Sequence, residues 1–104
     1  MLTRETAIAT AQEFIEICKK NNIFFTNAIL FGSTVNGSIT KTSDIDLLLV
    51  SEQFGYNSWQ NAKLIAKINK KYSIIEAHNF PKDYFLNGND PFIKQIKETG
   101  IVIN

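Results

Sequence analysis

Phe31–Val50 reads FGSTVNGSITKTSDIDLLLV, and the two ends of this stretch differ in character. From Ile45 to Val50 the apolar residues do not alternate with polar ones, which predicts a central strand covered on both faces, with its charges only at the entry. Upstream, Gly32 and Ser33 stand where an apolar run gives way to a turn opening a short helix, and Gly37 suits the end of that helix. Ten residues separate Ser33 from Asp44. Strand side chains alternate faces, so Asp44 and Asp46 are expected on one side, within reach of a shared site. Two carboxylates so placed repel each other unless a cation joins them. They are hard oxygen ligands, and magnesium favours a few carboxylates plus substrate phosphates over an all-protein cage. At the other end, backbone N–H groups at Gly32 and Ser33, the helix dipole and the serine hydroxyl form a candidate phosphate cradle.

The flanking segments supply the elements of a small α/β (α+β) domain. Between Thr3 and Lys20, the apolar residues Ile8, Ala11, Ile15 and Cys18 recur at spacings of three and four, joined by Ala7 and Phe14, which predicts a helix. Glu5 near its start and Lys19 and Lys20 near its end suit the helix dipole. The later part of Ile23–Phe31 reads as a buried strand. Ser58 is a candidate cap for a helix running to about Lys71, with Ala62, Ile65, Ile68 and Tyr72 as its apolar stripe. Tyr72–Ala77 reads as a third strand. Asp90 followed by Pro91 signals a further helix, closed by Gly100 and followed by a strand-like tail, Ile101–Ile103. The expected order is helix, strand, helix, strand, helix, strand, helix, around a small mixed sheet.

Composition narrows the function classes. With 104 residues, 44% of them apolar and 20% charged, the chain is expected to form one domain, residues 1–104. Lys plus Arg number 11 against 10 Asp plus Glu, a balance that argues against extended nucleic-acid binding. Apolar runs fall far short of the roughly 20 residues that span a bilayer, and no signal-peptide layout opens the chain, so a cytoplasmic protein is expected. The lone Cys18 excludes an intrachain disulfide and a cysteine-based zinc cage, and its spacing marks it as core packing.

Glycine, serine, ten residues and then Asp-x-Asp resembles the signature of the nucleotidyltransferase superfamily typified by DNA polymerase beta, in particular its minimal nucleotidyltransferases (MNT). IEAHNFPKDYF and DPFIKQIKETGIVI are similar to the closing third of those small proteins, so the resemblance covers roughly residues 28–103. It implies the nucleotidyltransferase fold and a nucleoside triphosphate, ATP above all, bound with two magnesium ions. The nucleoside monophosphate passes to a hydroxyl and pyrophosphate leaves. On this resemblance Asp44 and Asp46 are metal ligands, Gly32 and Ser33 hold the triphosphate, and Glu76 is the third, catalytic carboxylate, where many members carry aspartate.

The resemblance further implies an acceptor on a helical partner protein of the HEPN class. In that case the chain is the antitoxin of a toxin–antitoxin pair, attaching AMP to a tyrosine of its toxin within a hetero-oligomer. Two alternatives stand beside it: transfer to a small molecule such as an aminoglycoside, with a partner subunit completing the site, and a non-catalytic module that binds a nucleotide or partner. His78, two residues beyond Glu76, falls on the same strand face and is either a structural histidine or a contact to substrate or metal.

Overall fold

Thr3 caps the first helix through a reciprocal pair of bonds with Thr6, which satisfies N–H groups that the first turn leaves without a partner. The computed structural model describes residues 2–104. Helix α1 (Arg4–Lys20) leads to strand β1 (Asn27–Phe31), the single-turn helix α2 (Ser33–Asn36), strand β2 (Ile45–Ser51) and helix α3 (Ser58–Asn69). A 3-10 turn (Lys70–Tyr72), strand β3 (Ile75–Pro81), helices α4 (Lys82–Asn87) and α5 (Pro91–Thr99) and strand β4 (Ile101–Val102) complete the order.

The strands form one mixed sheet in the order β3-β2-β1-β4. β1 is antiparallel to both β2 and β4, whereas β2 and β3 run parallel. β2 is therefore central, as its unbroken apolar run predicts, and every residue of it except Asp46 is buried. Ala28, Leu30, Ile45, Leu47 and Leu49 face a core completed by Ala7, Ala11, Phe14 and Cys18 of α1 and Ile65 and Ile68 of α3. Ile29, Leu48 and Val50 face the opposite side, against Phe85 of α4 and Ile93 and Ile96 of α5. Each leucine fully buried in this way contributes roughly 1.5–3 kcal/mol relative to exposure. The tail is held by side-chain as well as backbone bonds: Asn104 Oδ1 accepts from the Ala28 N–H at 2.8 Å.

Four details depart from the sequence expectation. The cap of α3 is Asn57, whose side chain accepts from the Gln60 N–H, and Ser58 is the first helical residue. Ala62 is exposed, and Asn61 takes the buried position instead. Its carboxamide bonds both the N–H and the carbonyl of Gly55, at 2.9 and 2.7 Å, so a polar residue belongs there. The third strand starts at Ile75 and not at Tyr72, because the helix tightens into the 3-10 turn and Asn69 Nδ2 donates to the carbonyls of Tyr72 and Ile75. Pairing with all of β2 then carries that strand on to Pro81. Finally, α4 adds a helix to the expected order. Its six residues are too few for periodicity to announce them.

Candidate functional site

Antiparallel β1 ends where parallel β2 and β3 begin, so three strand ends meet at one edge of the sheet. Phe31, Asp46 and Glu76 stand in register across that edge, with Asp46 opposite both of the others. Two pairs further along, on the same face, Leu48 stands opposite His78. Alternation places these side chains on the face covered by α4 and α5, beyond the apolar patch of Leu48 and Val50.

Glycine at position 32 is dictated by what lies behind it. Its backbone has φ 78° and ψ −149°, a region essentially confined to glycine. A Cβ there would fall 2.3 Å from Asp46 Oδ2. The strand-to-helix turn and the Asp46 carboxylate thus occupy adjoining space. Bonds within α2 begin with Val35 N–H to the Gly32 carbonyl, and N–H groups ahead of such a first bond are available to an outside acceptor. Gly37 ends α2 in the left-handed conformation, as expected. Arg4 of α1 donates through Nε to the Thr34 carbonyl at 3.3 Å and through its other guanidinium arm to the Val35 carbonyl, fixing the short helix to the long one.

Asp46, Glu76 and His78 each offer one ligand atom, and these three atoms lie within 4.8 Å of one another. His78 Nε2 is 3.5 Å from Asp46 Oδ1 and 3.9 Å from Glu76 Oε1. The imidazole packs edge-on to Phe31, at 5.1 Å between ring centroids, and lies 5.7 Å from Phe92 of α5. Asp46 is partly buried, whereas the Glu76 side chain is 56% exposed.

The structure therefore gathers Gly32, Asp46 and Glu76 of the residues singled out from the sequence, with Ser33 following Gly32 as the first residue of α2. Asp44 is exposed, precedes the first residue of β2 and lies outside the three-residue cluster. His78 takes its place there, a residue for which the sequence offered only its even spacing from Glu76. Beside Gly32, a cleft of about 300 Å³ opens between α2 and α5, walled by Phe31, Val35, Asn36 and Phe92. A larger hollow, about 380 Å³, lies at the other end of β1 around Ile15, Phe24 and Asn104, away from the carboxylate cluster.

Residues 11–103 match the family described as nucleotidyltransferase domain. No curated protein matches the chain at a significant level. Among solved structures, a protein of Sulfolobus solfataricus described as a "putative nucleotidyltransferase" superposes with a TM-score of 0.69 at 16% identity, covering 95% of this chain and 80% of its own. At that identity the likeness is one of fold, and it bears out the expected mixed α+β architecture. Among the described residues, no helix is long and apolar enough to cross a membrane.

Proposed function

The chain belongs to the nucleotidyltransferase domain family, and from that premise we propose that it transfers a nucleoside monophosphate, AMP from ATP, to a hydroxyl acceptor in the cytoplasm. The observation that carries this reading is the close approach of Gly32 to Asp46, where a Cβ would stand 2.3 Å from the carboxylate. It joins the phosphate-cradle turn to an acidic strand in one site, which neither motif does alone.

The donor set fits a divalent cation. Asp46 and Glu76 present hard oxygens beside each other, and the buried His78 Nε2 facing them has no hydrogen-bond partner among the described residues. By the pattern of the family, Asp44, which lies outside this cluster, would join Asp46 and Glu76 in holding the two magnesium ions. Bound magnesium would neutralise phosphate charge and activate the attacking hydroxyl, stabilising attacking and leaving oxygens together. The chain's own residues bind and orient. Ser33, through its N–H and hydroxyl, binds the triphosphate, and Gly32 lets the phosphates approach the backbone. Arg4 keeps that turn in place, and the cleft beside Gly32 receives the rest of the nucleotide. The protein's share is thus mainly positioning.

The acceptor in this proposal is a tyrosine hydroxyl on a helical HEPN-type partner, which makes the chain the antitoxin of a toxin–antitoxin pair. A protein acceptor is supported by β3, which forms an edge of the sheet, and by Tyr56 and Trp59, 72% and 68% exposed. Incubating the protein with magnesium, α-labelled ATP and such a partner should label the partner. Asp44→Ala and Asp46→Ala should each abolish labelling without lowering the unfolding midpoint, and Glu76→Ala should reduce it strongly. A fully active Asp44/Asp46 double variant refutes the assignment. Nucleotide binding without label transfer would leave a non-catalytic binding module.

A further inference from the structure

We propose that His78 is itself a ligand of the metal site and biases it toward manganese and other first-row transition-metal ions over magnesium. The inference rests on the reading of Asp46 and Glu76 as metal ligands. It adds a nitrogen donor to a site otherwise made of oxygens.

A histidine that serves only to fill a core has its buried nitrogens bonded, because an unpaired buried polar atom costs about 1–3 kcal/mol. His78 Nε2 is buried and has no such partner among the described residues. Its nearest polar neighbours in the cluster are instead two carboxylate oxygens, at 3.5 and 3.9 Å. Phe31 and Phe92 flank the ring, so this aim is set by packing. Ligands about 2.0–2.2 Å from one ion stand roughly 3 to 4.3 Å apart. Both histidine distances fall in that range, and because all three atoms lie within 4.8 Å of one another, the exposed Glu76 side chain has at most about 0.5 Å to close. The donor set also predicts the ion. Carboxylates and phosphates suit magnesium, calcium and manganese alike, whereas imidazole suits transition metals. Magnesium, which demands near-ideal geometry and sheds water reluctantly, gains least from a nitrogen ligand.

His78 is the chain's only histidine, so 15N-histidine labelling of tag-free protein reports on it alone. With manganese bound to the full chain, electron spin-echo modulation should show 15N coupling. Titration followed by the free-ion EPR signal should show His78→Gln binding manganese at least about tenfold more weakly. Competition by magnesium should change less than about threefold. Circular dichroism and the unfolding midpoint check that the variant folds, and the wild-type spin-echo result stands without any variant. Bound manganese with no nitrogen coupling, or equal manganese affinity in the variant, overturns the role of His78 and leaves the nucleotidyl-transfer reading intact. Failure of the wild-type chain to bind either ion overturns both.

Discussion

Replacing Gly32 with alanine should separate two costs that the wild-type turn avoids. The first is conformational: φ 78° with ψ −149° is a combination that a side-chain-bearing residue holds only at about 1–3 kcal/mol. The second is steric: the new methyl would stand 2.3 Å from Asp46 Oδ2, so the carboxylate must retreat by about 1 Å to reach ordinary contact. Asp46 is a quarter exposed and has room to move, so the steric cost falls mainly on the site. A loss of about 2 kcal/mol lowers the melting temperature of a domain this size by roughly 8–16 °C. A displacement of about 1 Å lowers nucleotidyl transfer roughly a hundredfold. Urea unfolding and the labelled-ATP assay measure the two separately. In an Asp46→Ala background the steric share disappears, so adding Gly32→Ala there should cost only the backbone share. A Gly32→Ala protein with wild-type unfolding midpoint and transfer within twofold of wild type would refute both parts.

Two further outcomes follow from groups outside the site. Burial pushes the Cys18 thiol up to about 11, so it stays protonated in the fold. Modification by a thiol reagent should be at least about a thousandfold slower in native protein than in urea, and stoichiometric labelling of native protein within minutes would contradict this. Asp90, the cap of α5, accepts a 2.7 Å bond from Tyr84 Oη and another from the Phe92 N–H, and these hold its carboxyl below the ordinary 3.8. A depressed carboxylate contributes stability that is fully present above 3.8 and is lost as pH falls through the folded value. The stability advantage of wild type over Asp90→Asn, measured by urea unfolding, should therefore shrink on acidification below 3.8, and a constant difference would count against the linkage.

Much of the fold was legible because it rests on local chemistry. The spacing of Ile8, Ala11, Ile15 and Cys18, joined by Ala7 and Phe14, gave the first helix, although Ile8 and Ile15 end up only partly buried beside Ala7, Ala11, Phe14 and Cys18. The apolar run of β2, the Asp90-Pro91 start and the Gly100 stop of α5 likewise express a preference that neighbouring residues settle among themselves. What was misplaced depends on partners far along the chain. IEAHNFP shows little strand periodicity, and its extent follows from pairing in register with a strand thirty residues earlier. Asn61 is polar yet buried because Gly55, in the preceding loop, offers both of its backbone groups.

The site divides in the same way. By itself the sequence determined that a glycine and a serine precede an Asp-x-Asp at a spacing suited to phosphate and metal, since turn chemistry and the two-residue strand period are local properties. Only the tertiary structure decided which side chains share one space. It set Gly32 against Asp46, brought Glu76 and His78 beside them and left Asp44 outside the cluster. Those neighbours are fixed by where β1 ends and by the register of β2 on β3, a choice made by burial of both sheet faces together and not by any stretch read alone.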